Sequence, residues 1–252
     1  MSDQGDSMSN EVLRRRQAEI TALVFAMAFP SVLTWVYFVA LAGQPAGLQQ
    51  GTYSIGKTIQ FGFPLAWALA FERWRPVRPK KLSAGLLFGL AFGVLIAGTT
   101  LALFHGWLKP AGLFAGPGDA VREKVASVGI TTASQFVGLS VFYAVCHSLL
   151  EEYYWRWFVF ARLSRLMPLA AAILISSMGF MAHHVILLGM YFGYGSMLTW
   201  FFSISVAVGG AVWAWLYQRS GSLLGPWLSH CLVDAAIFLI GFELVQELWT
   251  GK

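Results

Sequence analysis

Charge is what this 252-residue chain has least of: 12% of its residues are Asp, Glu, Lys or Arg, against roughly 25% in an average soluble domain. A solvated globular surface is excluded on that ground. Cysteine is almost absent. Cys146 and Cys231 are the two, both inside apolar runs, so a disulfide framework is excluded and each reads as a small buried apolar residue. The net charge of +5 comes with no basic stripe interleaved with aromatics, so nucleic acid is not an expected partner. No internal repeat is visible, which weighs against a transporter built from inverted halves. A cleavable leader is not expected either. Residues 1–19 are polar and carry Arg14, Arg15 and Arg16, and the apolar run that follows is long enough to act as an anchor.

Apolar length is abundant. Hydrophobic residues make up 57% of the chain, and the mean hydropathy is +0.63. Apolar segments run over about 20–42, 54–71, 84–108, 135–160, 168–190, 195–217 and 222–243, each near the ~20 residues that cross a bilayer as a helix. The expected fold is therefore an all-α polytopic membrane protein, a bundle of about seven, or eight, transmembrane helices. The second segment is the weakest, because it holds Lys57, Gln60 and Pro64. The divisions expected are a cytosolic tail at 1–19, membrane helices and an outer loop at 20–134, a membrane core at 135–243 and a tail at 244–252. The loop segment 109–134 reads as a surface helix or a lid.

Lys and Arg set the orientation. With the N-terminus inside, the inner loops hold Arg14–Arg16, then Arg73, Arg75, Arg78, Lys80 and Lys81, then Arg162, Arg165 and Arg219. The outer loops hold Lys109, Arg122 and Lys124. An integral protein of a cytoplasmic membrane, N-terminus inside, is expected, with the lipid bilayer as its surroundings.

Against this apolar background, three polar clusters stand out, since ionisable groups at membrane depth are costly. Glu151 and Glu152 lie with Arg156 on the fourth segment, Phe180 with His183 and His184 on the fifth, and His230 with Asp234 on the seventh. Glu152 and Arg156 are four apart, share a helix face and can pair, which lowers the cost of both charges. Glu151 points about 100° away and is left for other work. Phe180 and His184 share a face, as do His230 and Asp234; spacing alone does not choose between His183 and His184. Gly221 to Pro226 reads as a turn with proline near the start of the last helix.

Hydrolysis suits such a set in two ways. Glu151, His184, His230 and Asp234 could bind a divalent ion, Zn²⁺ first, and activate its water. Alternatively Glu151 and His184 act as general bases, with His230 and Asp234 stabilising an oxyanion. Other hydrolase signatures are missing. There is no His-Glu-x-x-His and no Gly-x-Ser-x-Gly. Gly116-Pro117-Gly118-Asp119 spells a Gly-x-Gly-Asp string, but it lies in the polar stretch and reads as a turn.

The order Glu-Glu-x-x-x-Arg, Phe-x-x-x-His, His-x-x-x-Asp, formed by Glu151–Arg156, Phe180–His184 and His230–Asp234, resembles the CPBP family of intramembrane proteases. That family includes the type II CAAX prenyl endopeptidases and the bacterial Abi, or bacteriocin-processing, proteins. The resemblance covers about 135–243. It implies a membrane endopeptidase acting on a membrane-associated protein or peptide, with Glu151 and His184 activating water and His230 and residue 234 binding metal or oxyanion. Glu152, Arg156 and Phe180 would be structural support, and His183 would point away. CAAX-cleaving members carry Asn at the last position of the third motif, where this chain, like many bacterial relatives, has Asp234; this points away from prenylated CAAX substrates and toward metal binding, since Asp is the better cation ligand, and a bacterial cytoplasmic membrane is the expected setting. The classes set against a protease are a non-proteolytic immunity or scaffold protein and a proton-coupled transporter. One tension concerns depth. If the fourth segment ends near 160, Glu151 lies about 13 Å from the inner surface at 1.5 Å per residue and His184 about 24 Å.

Overall fold

The computed structural model describes residues 2–71 and 82–250. Nine helices lie in them: α1 Ser2–Trp35, which continues through a wide π turn at Val36–Ala40, α2 Ala46–Phe71, α3 Leu82–Leu103, which continues to Leu108, and α4 Ala115–Ser127. Then follow α5 Ala133–Leu166, α6 Leu169–Phe192, α7 Met197–Ser220, α8 Leu224–Val245 and the short α9 Glu247–Thr250. No strand occurs among the described residues. The basic run Arg73–Lys81 lies outside the described residues.

Six of these helices are long and apolar enough to cross a membrane: α1, α3, α5, α6, α7 and α8. α2 is 26 residues long but falls short in apolarity, since Lys57 and Gln60 occupy its middle. The expected seventh span is thus the segment whose sequence was weakest. Outward faces are apolar, as a lipid environment requires: Leu87, Leu95, Leu174 and Leu239 are 69, 63, 62 and 62% exposed. Cys231 is half-buried and Cys146 is exposed, so Cys146 is not the buried small residue the sequence suggests.

The 109–134 connection is neither loop nor free lid. Gly116-Pro117-Gly118-Asp119, expected as a turn, opens α4 instead. Proline suits the first helical turn, where its missing N–H has no partner to lose. α4 is tied down on both sides. Arg122 Nη1 donates to the Leu244 carbonyl at 2.8 Å, and Lys124 Nζ sits 4.3 Å from the Tyr37 ring.

Two devices hold the spans in register. The first answers a proline. Pro30 lies inside α1 and cannot donate to the carbonyl four residues back, which is that of Ala26. In lipid an orphan carbonyl is costly. The Tyr154 hydroxyl donates to the Ala26 carbonyl at 2.7 Å, which closes the gap and pins α5 to α1. The second is a glycine edge. Gly85, Gly89 and Gly93 repeat every four residues along α3, so they line one face. That face meets α8 backbone to backbone: a Cβ on Gly93 would come 2.9 Å from the Ser229 Cα, and one on Gly89 would collide with the Gly225 carbonyl. Small residues spaced by four allow such close approach between membrane helices. The helix α8 begins after Gly221, which caps α7 at φ 66°, as the turn signal indicates.

Candidate functional site

α5 is not a uniform α-helix around its two glutamates. Wide π turns at Phe142–His147 and Tyr153–Phe160 flank the α-helical Ser148–Glu152. Such turns shift side-chain register and are frequent at functional sites. Here they let both neighbours turn inward: Glu151 is 3% and Glu152 0% exposed.

Glu152 sits on the closed side. Its Oε2 lies 3.1 Å from Arg156 Nε, and its Oε1 accepts from His230 Nδ1 at 2.9 Å. Arg156 is buried, with its guanidinium carbon 4.9 Å from the Phe180 ring and 5.3 Å from that of Trp213. The Trp213 indole stacks on His230 at 4.3 Å and donates Nε1–H to Ser229 Oγ at 2.9 Å. Each end of the Glu152–Arg156 pair is thus compensated, by charge, by ring faces or by a histidine, as a buried ion pair needs.

Glu151 faces histidines on three sides. His147 Nε2 and His183 Nε2 lie 4.0 and 3.7 Å from its Oε1. His230 Nε2 lies 3.8 Å from its Oε2 and 3.6 Å from Asp234 Oδ1. The structure therefore brings Glu151, His230 and Asp234 together from α5 and α8. The expectation for the two adjacent histidines is corrected. His183 does not point away; it is the α6 histidine beside the Glu151 carboxylate, stacked parallel to the Trp155 ring at 6.0 Å. His184 donates Nδ1–H to the Phe180 carbonyl at 2.9 Å, which leaves Nε2 as its acceptor in the neutral ring. The two rings lie 4.2 Å apart, and Phe180 packs against His183, His184 and His230 at 5.6, 4.9 and 6.0 Å.

His147 was not among the expected residues. Its signal was available: it precedes Glu151 by four positions, so the two share a face of α5. It also lines a cavity of about 510 Å³ between α2 and α5, and its Nε2 is buried without a hydrogen-bond partner among the described residues.

The quartet Glu151, His184, His230 and Asp234 is not gathered as a ligand set. No group of three or more His, Cys, Asp or Glu side chains among the described residues is arranged to hold a metal ion. His230 Nδ1 is committed to Glu152, and the His184 Nδ1 to a backbone carbonyl.

Comparison with known proteins reaches the same part of the chain. Residues 133–236 match the family model described as type II CAAX prenyl endopeptidase Rce1-like. The match begins at the start of α5 and ends two residues after Asp234, so it contains all three motifs; α1 to α4 lie outside it. No curated protein and no solved structure gave a match.

Proposed function

We propose, from the match of residues 133–236 to the family model of Rce1-like type II CAAX prenyl endopeptidases, that the protein is an intramembrane endopeptidase that uses Glu151 to activate water. The observation that carries the proposal is the setting of the Glu151 carboxylate. Its imidazole neighbours stand at 3.7 to 4.0 Å, too far for direct hydrogen bonds but close enough for one water to bridge. A water held between Oε1 and His147 Nε2 would lie on the cavity side, where a peptide can approach.

In the proposed reaction Glu151 takes a proton from this water as its oxygen attacks the scissile carbonyl. The carbonyl electrons move to oxygen. His230, held at Nδ1 by Glu152, presents Nε2 to that oxyanion and, as imidazolium, donates to it; Asp234 supports that charge. Glu151 then passes its proton to the amide nitrogen as the C–N bond breaks, giving a carboxylate and an amine. His183 and His184 hold the far wall, with His183 keeping the Glu151 carboxylate in place. The substrate is a membrane-associated protein or peptide, since the site lies within the spans. The Lys/Arg distribution supports an N-inside orientation in which α2 runs back between α1 and α3, whose ends lie on the α4 side; a reporter fused after Gly118 should then read outside, and a cytosolic signal there overturns it.

The decisive experiment compares membranes containing the protein with membranes containing Glu151→Gln, by terminal-peptide proteomics. New peptide termini should appear with the unaltered protein and vanish in the variant. Their persistence in the variant would sink the proposal. The same cleavage should survive phenanthroline; loss on chelation and recovery with Zn²⁺ would replace the glutamate scheme with a metal one.

A further inference from the structure

The cavity beside the site carries a charged residue, Lys57, that the proposed chemistry does not use. His147 and Leu150 line it from α5 and Lys57 and Phe61 from α2. Lys57 lies eleven residues into a helix of 26, so its ammonium is not at a helix end, where it could reach toward the headgroups. Its Nζ is turned between two rings, 5.4 Å from the Tyr53 centroid and 5.3 Å from that of Phe61. The described residues offer it no carboxylate within ion-pair distance. Ring faces offset part of the cost of such a cation. The Glu151 carboxylate acts on it only from beyond ion-pair distance, so a cation in this apolar wall with no contact partner fits an anionic ligand. The distance to the chemistry is short: the Phe61 ring lies 5.7 Å from that of His147, and His147 adjoins Glu151.

We propose that this cavity is a substrate subsite in which Lys57 receives a carboxylate of the peptide, a few residues from the bond that Glu151 addresses. The proposal rests on the endopeptidase reading. The carboxylate has two sources, the C-terminus of the peptide or an acidic side chain near it. A cavity of about 510 Å³ suits a short peptide segment.

The test measures binding in nanodiscs carrying the Glu151→Gln protein, with an N-palmitoylated fluorescent hexapeptide as probe. Three forms are compared: the free acid, the C-terminal amide, and the amide with Glu as its last residue. The free acid should bind roughly ten-fold more tightly than the plain amide, about 1.4 kcal/mol. Lys57→Met should remove that difference while leaving amide binding unchanged, which also shows that the variant folds; Lys57→Arg should retain it. If the Glu-bearing amide binds like the acid, a side-chain carboxylate serves; if it binds like the plain amide, the terminus does; both support the subsite. Equal binding of acid and amide, a preference that survives Lys57→Met, or no binding of any form overturns it. Cleavage by the unaltered protein separates the two ideas. Equal cleavage of acid and amide leaves the peptidase standing and removes the subsite, whereas acid-selective binding with no cleavage does the reverse.

Discussion

Glu151 and Glu152 are neighbours in sequence and live in opposite surroundings. Glu152 has partners at 2.9 and 3.1 Å, each on a rigid ring or fork. Glu151 has partners at 3.7 to 4.0 Å and a cavity one turn away at His147. The residue four positions off decides the difference: Arg156 follows Glu152, and His147 precedes Glu151. A carboxylate with a charged or imidazole partner at each oxygen holds helices together. A buried carboxylate whose neighbours stand beyond direct hydrogen-bond distance is free to hold a water and move its protons.

The strongest way to break this contrast is to exchange the two roles. Glu151→Gln should lower cleavage by roughly 10² to 10⁴-fold, the usual worth of a general base, with the thermal midpoint in detergent unchanged. Glu152→Gln should instead unfold the protein early. If Glu151→Gln destabilises and Glu152→Gln stays active, the assignment is reversed.

Next in size is the closed side. Arg156→Ala leaves Glu152 buried with only His230 against it. Removing one partner of a buried pair costs about 3–5 kcal/mol, so the variant should melt early and accumulate poorly. A melting curve that matches the parent would show that the ring faces and His230 suffice without the guanidinium.

The two α6 histidines sharpen the comparison further. His183 adjoins Glu151, whereas His184 is tethered to the backbone. His183→Ala should therefore cost at least as much cleavage as His184→Ala, on the order of ten-fold or more for a group beside the base. A His183→Ala protein with full cleavage beside an inactive His184→Ala would restore the family-based expectation.

Much of this was legible in the sequence. The apolar lengths gave the spans, the costly charges marked the site, and the four-residue spacing of Glu152 and Arg156 gave their pairing. What was not legible depends on register and boundaries. α5 runs on to Leu166 rather than ending near 160, because Arg162 and Arg165 in its last turns resemble the end of a span. With the longer helix Glu151 lies as far before Leu166 as His184 lies after Leu169, and the depth mismatch disappears. The expectation that His183 points away from Glu151 failed for a related reason. Both sit on one turn of α6, and wide turns in α5, invisible to a 3.6-residue period, decide which of them Glu151 meets. Lys57 looked like a defect in a span; it lines a cavity whose other wall comes from His147 and Leu150 of α5, about ninety residues away.

The smallest expected effect concerns what keeps the closed side closed. His230 is carried by α8, and α8 is seated on the glycine edge of α3. In Gly93→Ala the new Cβ would lie 2.9 Å from both the Ser229 Cα and the Leu232 Cδ1. The leucine end can rotate, but the Ser229 backbone cannot, so α8 must shift by a few tenths of an ångström next to His230. Overpacking of this kind costs about 1–3 kcal/mol, and the shift should lower cleavage less than the histidine changes do. Gly98→Ala is the control on the same helix, since nothing lies within 4 Å of its Cβ position; there alanine should be neutral or gain up to about 1 kcal/mol in helix propensity. Melting temperature and cleavage rate, measured on both variants, distinguish a seam that positions His230 from one that only fills space. Equal behaviour of the two would mean that the glycine edge does not set the position of α8.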